Sequence, residues 1–262
     1  MNKEKISEQF FRLIKIVEKL RSPEGCSWDR KQTPKSLLPY FLEETHEVIE
    51  SIDSENWGNL KEELGDVLLH IIFQAQIAIE NNRFSIEGLL KKINKKLVDR
   101  HPSVFNTNKV NQDYANEEEN WEELKFKEKN RKSRLDGIPI TLPSLNRAQR
   151  LQEKASLVGF DWDNIEFVWG KVEEEINELK EAQTLKDVNL IEEELGDLLF
   201  SIVNLSRFLN ISSEDALRNA NKKFVNRFNK LEKILLEKNK TFNETSLDDL
   251  NIIWDKIKNN SN

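Results

Sequence analysis

Glu174-Glu175-Ile176-Asn177-Glu178, followed by Glu194-Leu195-Gly196-Asp197, decides how this chain reads, because the pattern occurs twice. Glu43-Glu44-Thr45-His46-Glu47 and Glu63-Leu64-Gly65-Asp66 carry the same acids, each displaced by 131 residues from its counterpart. Residues three apart on a helix share a face, so Glu44/Glu47 and Glu63/Asp66 each predict a compact carboxylate pair, as do Glu175/Glu178 and Glu194/Asp197. Surface charge has no reason to hold one register twice. The repeat therefore predicts two copies of a metal-binding helical unit.

Apolar residues recur at helical spacing along nearly the whole chain, and no alternating strand is evident. Ile6, Phe10, Leu13, Val17 and Leu20 stripe a first helix, ended by Ser22-Pro23-Glu24-Gly25. Thr33-Pro34 predicts the start of the helix carrying Glu44 and Glu47. The next helix begins near Asn56, carries Glu63 and Asp66, and runs to Glu80; another follows Ser85 to Arg100. Residues 106–116 read as a polar loop before a charged helix through Trp121. Gly137, Pro139 and Pro143 mark a linker over 134–143. A helix from Ser144 to Leu157 leads into Gly159-Phe160-Asp161-Trp162-Asp163. Long helices are expected over 164–184, 187–209 and 213–238, and Ser246-Leu247-Asp248-Asp249 opens a last one through Trp254. The expected architecture is all-α, with two tandem helical bundles: domain 1–133, linker 134–143, domain 144–262.

The duplication reaches past the acids. Asn94-Lys95-Lys96-Leu97-Val98-Asp99-Arg100 matches Asn221-Lys222-Lys223-Phe224-Val225-Asn226-Arg227 at an offset of 127, which predicts connecting loops of different length. Trp28-Asp29 parallels Trp162-Asp163. The run from Val67 to Phe73 is apolar on nearly every side, as is its copy around Leu198-Leu199-Phe200, so both are expected to be central in their bundles. Gly65 and Gly196 would then allow close approach of helices.

Composition narrows the function. Of 262 residues, 37% are hydrophobic and 33% charged, with eight Gly and six Pro, which suits a soluble helical protein. A net charge of −7 argues against nucleic-acid or membrane binding through a basic face, yet leaves open an anionic ligand bridged by a divalent cation. One cysteine, Cys26, excludes an intrachain disulfide and, with no apolar leader after Met1, predicts a cytoplasmic protein.

Four acids beside an apolar helix repel and lose hydration, at a cost of several kcal/mol per uncompensated ion. A hard divalent cation removes that cost, and Mg2+ suits carboxylates that share it with phosphate. Lys223 and Arg227, four apart, are placed to meet phosphate oxygens, as are Lys96 and Arg100 in the first copy. Lys171 lies one turn before Glu175, whereas the first copy has Tyr40 there. That asymmetry favours the second copy as the working site, with Glu44, Glu47, Glu63 and Asp66 a second possible one.

Blander readings stand beside these. Glu117–Glu119 reads as solvated surface, and Lys171, Lys223 and Arg227 equally suit local ion pairs. Trp121 and Trp254 suit packing, although Trp254 also suits a lid over a nucleobase. His70, whose counterpart is Ser201, suits a buried hydrogen-bonded role. A di-iron bundle is the rival from another class and needs Glu-x-x-His twice. Glu43-x-x-His46 supplies one, but Glu174-x-x-Asn177 does not supply the other. A non-catalytic helical scaffold would leave the repeated acids unexplained.

Together with Gly25-Cys26-Ser27-Trp28-Asp29, Arg100-His101-Pro102, Val104-Phe105, Leu142-Pro143 and Gly159-Phe160-Asp161-Trp162, the acid motifs resemble the MazG nucleotide pyrophosphohydrolase family over nearly the whole chain. The resemblance implies two MazG-like bundles, the C-terminal one catalytic, in a homodimer. It implies Mg2+-dependent hydrolysis of nucleoside and deoxynucleoside triphosphates to monophosphate and pyrophosphate, by water attack on the α-phosphorus, in a house-cleaning role. Glu175, Glu178, Glu194 and Asp197 would hold the ion. Lys171, Asn221, Lys223, Arg227 and Trp254 would meet the nucleotide. Glu174 or Glu193, each beside a ligand, would orient or deprotonate the water.

Overall fold

A computed structural model describes residues 2–105, 126 and 132–259. The expected loop over 106–116 and the helix through Trp121 lie outside these residues. The chain forms two compact units, residues 1–115 and 116–262. Among the described residues there is no strand, and no helix is long and apolar enough to cross a membrane.

The first unit contains α1 (Lys3–Arg21), α2 (Ser27–Lys31), α3 (Leu38–Asp53), α4 (Trp57–Glu80), α5 (Ile86–Arg100) and α6 (Pro102–Phe105). Its core is Val17, Leu37, Ile72, Phe73 and Ile77, with Phe10, Leu13, Ile14 and Leu20 of α1 packed against it. The α1 stripe therefore buries as its spacing predicts, except at Ile6 near the N-terminal end, which is exposed. Asn56 caps α4 by accepting from the backbone N–H of Asn59 at 3.2 Å, and Ser85 caps α5 by accepting from Gly88 at 3.0 Å. The short turn between α3 and α4 makes them an antiparallel pair, and Glu55 takes a left-handed conformation there, φ 53°.

Thr33 does not open α3 directly. Thr33 and Ser36 exchange side-chain hydrogen bonds around a turn, and the α-helix begins at Leu38 with Pro39 in its first turn. Arg21 joins three elements: its guanidinium donates to both oxygens of Glu80 on α4, at 2.9 and 2.7 Å, and to the Asp29 carbonyl at 2.5 Å.

The second unit contains α7 (Ser144–Ser156), α8 (Ile165–Leu185), α9 (Val188–Phe208), α10 (Ser213–Glu237), a 3-10 turn (Phe242–Glu244) and α11 (Leu247–Asn259). Val168, Val172 and Leu205 form one core between α8 and α9. Leu231, Leu235, Ile253 and Ile257 form another between α10 and α11. α7 bridges them: Gln152 donates to the Phe200 carbonyl of α9 at 2.8 Å, and Gln149 accepts from the Ser213 N–H of α10 at 3.3 Å. Lys154 is buried and donates to the Asp136 carbonyl at 2.9 Å, so residues around 134–136 are held to α7. Ser246 caps α11 as expected, accepting from Asp249 N–H at 3.2 Å, and the helix continues past Trp254 to Asn259.

The copies correspond down to their turns. Lys186, the counterpart of Glu55, has φ 57° and makes the same left-handed exit. The change in offset from 131 to 127 is mostly helix rather than loop, because α4 has 24 residues and α9 has 21. The central helices also differ from expectation. Ile72, Phe73 and Val203 are buried, but Ile71, Leu199, Phe200 and Ile202 are exposed, so each helix is covered within its unit on one side only. A Cβ on Gly65 or Gly196 would meet nothing within 4 Å, so neither glycine serves close packing within its unit.

Candidate metal centres

Asn164 caps α8 by accepting from Phe167 N–H, and Asp187 caps α9 by accepting from Asn189 and Leu190. The antiparallel pair these caps define sets Glu175 of α8 against Glu194 and Asp197 of α9. One oxygen of each lies within 4.8 Å of the others, the reach of a single ion. Glu44, Glu63 and Asp66 form the same arrangement between α3 and α4. The fourth acid of each set stands beside the group of three. Glu178 is exposed and acts on Glu194 by charge, and Glu47 is exposed and meets Glu63.

Burial is spread differently in the two centres. Glu175 is 4% exposed, Glu194 half-buried and Asp197 exposed, whereas Glu44, Glu63 and Asp66 are all half-buried. Lys171 lies 2.6 Å from Oε1 of Glu175 and 3.0 Å from Oε1 of Glu174. The other oxygen of Glu175, Oε2, is buried with no hydrogen-bond partner. Tyr40, at the position of Lys171, is exposed and meets Trp28 edge-on with ring centroids 6.0 Å apart.

The charges strain one another as crowded carboxylates must. Lost hydration, then repulsion by Glu178, Glu175, Asp197 and Glu193, raises the Glu194 carboxyl above its ordinary range. Glu44 is raised by burial and then by Asp66, Glu47 and Glu43. Glu63 is raised by lost hydration and then chiefly by Glu47. Hydrogen bonds to Glu175 and Glu174 push the Lys171 ammonium the other way, toward a firmer hold on its proton.

The residues expected to meet nucleotide lie on α10 and α11. Asn221 and Lys223 are exposed, and Arg227 is half-buried with its Nε unpartnered. Among the described residues neither Lys223 nor Arg227 pairs with a carboxylate, so the local ion-pair reading does not hold for them. α10 packs chiefly on α11 and α7. In the first copy Lys96 is exposed but Arg100 is buried, so the basic pairs are not presented alike. Trp254 is half-buried, 5.4 Å from Phe224 by ring centroids, and packs on the α10–α11 core. Glu174 and Glu193 are exposed beside their ligands.

His70 is not hydrogen-bonded at Nδ1; it lies tilted against Phe41, ring centroids 6.0 Å apart, and burial lowers its pKa. His46 is exposed and joins neither acidic group. The Gly159–Trp162 segment has an anchor that no motif in the chain announces. Arg207 grips Asp161 through both carboxylate oxygens, with its guanidinium 4.7 Å over the Phe208 ring. An Arg at the end of one element and an Asp in a turn carry no spacing signal, since 46 residues separate them.

Comparison with known proteins fits this geometry. The MazG nucleotide pyrophosphohydrolase domain matches twice, over residues 32–105 and 167–231. A Thermotoga maritima protein named nucleoside triphosphate pyrophosphohydrolase/pyrophosphatase MazG is 51% identical over 251 residues, covering 95% of each chain. The nucleoside triphosphate pyrophosphohydrolase of Escherichia coli K12 is 40% identical over 259 residues, 95% of this chain and 97% of its own. A Bacillus subtilis protein, YabN, is 42% identical over 254 residues, which make up 52% of its length. With both acidic groups inside the matched segments, the chain belongs to the MazG nucleotide pyrophosphohydrolase family.

Proposed function

We propose that this chain is a nucleoside triphosphate pyrophosphohydrolase, acting on nucleoside and deoxynucleoside triphosphates in the cytoplasmic pool, with its working centre in the second unit. The observation that carries this reading is Glu175: a carboxylate 4% exposed, one oxygen on Lys171, the other unpartnered, with Glu194 and Asp197 within an ion's reach. An all-carboxylate donor set without His or Cys fits Mg2+, with Glu178 completing the set beside Glu194. It does not fit a di-iron bundle, which needs two inward-facing histidines.

Bound Mg2+ supplies a Lewis acid for phosphate oxygens and acidifies water. The chain's own groups do the rest. Glu174 or Glu193, exposed beside the ligands, takes the proton from the water that attacks the α-phosphorus. Lys171, Asn221, Lys223 and Arg227 meet the triphosphate and offset charge on the departing pyrophosphate. Trp254 borders Phe224 and offers an aromatic edge to the base. The first trio has the same donors but no lysine, and we assign it no turnover.

The chain acts as a homodimer. Trp57, Leu64 and Ile71 stand seven apart and exposed on α4, and their counterparts Val188, Leu195 and Ile202 do so on α9. Apolar stripes of this kind are covered by a partner helix. The activity is tested by incubating pure protein with mixed triphosphates and Mg2+ and resolving the products. Monophosphate plus pyrophosphate, lost on chelation, supports the reading, whereas diphosphate plus orthophosphate contradicts it.

A further inference from the structure

We infer that Lys171 is the built-in counter-ion of Glu175, and that a divalent ion displaces it, freeing the ammonium for the triphosphate and the Glu174 carboxylate for water. The inference rests on the reading of Glu175, Glu194 and Asp197 as a metal centre. Its basis is the way Lys171 divides its contacts: 2.6 Å to Glu175 Oε1 and 3.0 Å to Glu174 Oε1, with the Glu175 side chain 5% exposed and that of Lys171 35% exposed.

A buried carboxylate among acids needs a neighbouring positive charge. Lys171 supplies it at one oxygen of Glu175, and the other oxygen has no partner. An ion held by Glu175, Glu194 and Asp197 neutralises the same carboxylate and repels the ammonium at close range. Lysine suits this exchange. Its charge is compact, its stem is flexible, and it leaves by side-chain rotation with no backbone movement. The Lys171 side chain is 35% exposed, so solvent borders it.

The same rotation alters Glu174. Among the described residues Lys171 is the cation paired with it, so release leaves an exposed carboxylate beside the ligand Glu175. Ion loading and base availability are thereby coupled through one side chain. The first copy lacks the coupling, since Tyr40 carries no charge to exchange.

The test uses the full-length protein without nucleotide. Lys171 is labelled by reductive methylation and read by peptide mass spectrometry, with and without Mg2+, and Mn2+ binding is followed in parallel by electron paramagnetic resonance. Mg2+ is expected to raise labelling of Lys171 several-fold and leave the exposed Lys180 unchanged. A non-hydrolysable triphosphate analogue added with Mg2+ lowers it again. Glu175→Gln raises labelling without metal, and Glu174→Gln reports the same release if the first variant fails to fold. With the first trio disabled by Glu44→Gln, metal that binds while Lys171 labelling stays constant or falls overturns the exchange and leaves the second unit's metal centre standing. Failure of Mn2+ to bind overturns the centre itself, and the exchange with it.

Discussion

Arg21 and Glu80 close the first unit by a two-pronged ion pair, 2.9 and 2.7 Å, between the last turn of α1 and the last residue of α4. The Arg21 side chain is 5% exposed and that of Glu80 34%, so the pair is sheltered on one side and wet on the other. Hydrogen bonds from Arg21 hold the Glu80 carboxyl below its ordinary range, against the opposing effect of burial. A carboxyl depressed in the folded state contributes stability above its unfolded pKa and loses it as pH falls through the folded value. Urea midpoints are therefore expected to fall on acidification below the ordinary glutamate range, with a shallower dependence in Glu80→Gln.

Arg21→Met removes both prongs and the tie to the Asp29 carbonyl. A fully buried pair broken on one side costs about 3–5 kcal/mol, and the wet side of Glu80 reduces this to roughly 2 kcal/mol. Chemical denaturation of the variant measures that loss. An unchanged midpoint would mean that the clasp is ornamental.

Metal binding is expected to stabilise the fold even without nucleotide. An ion at about a hundred times its Kd adds about 2.7 kcal/mol to whatever unfolds with the site. Thermal unfolding with and without Mg2+ detects it, and Glu175→Gln or Asp197→Asn removes the increment from the second unit.

Gly65 and Gly196 sit in helix interiors facing open space within their units. Alanine there is expected to add about 0.5–1 kcal/mol by restricting the unfolded chain and favouring helix. A loss in place of a gain would put the second copy of the chain against that face.

Ile71→Glu and Ile202→Glu place charge in the middle of the exposed apolar stripes. Sedimentation is expected to show a dimer for the parent chain, weaker association in each variant and a monomer when both are combined, with helicity unchanged. A dimer that persists in the double variant would move the interface elsewhere.

Much of this was legible in the chain because local signals and tertiary structure agree. Asn56, Ser85 and Asp187 cap their helices where the apolar periodicity starts, and the acid register survives duplication because both trios need antiparallel helices in fixed phase. Other features depended on distance in space. The start of α3 slipped from Pro34 to Leu38 because Thr33 and Ser36 satisfy one another first. The change of offset looked like a loop and proved to be mostly a last turn of helix. Lys171 is legible on the same face as Glu175, but its hold on two carboxylates at once depends on side-chain placement that spacing does not encode. One-sided burial of the central helices is invisible to periodicity, since an apolar residue reads alike whether its own unit or a partner covers it.

Which unit holds the working centre is decided by comparing pyrophosphate release by the parent protein, Glu175→Gln and Glu44→Gln on mixed triphosphates with Mg2+, with helicity checked by circular dichroism. With the working centre in the second unit, background release is expected from Glu175→Gln and near-parent release from Glu44→Gln. Normal release from Glu175→Gln with background release from Glu44→Gln would place the working centre in the first unit and contradict that assignment.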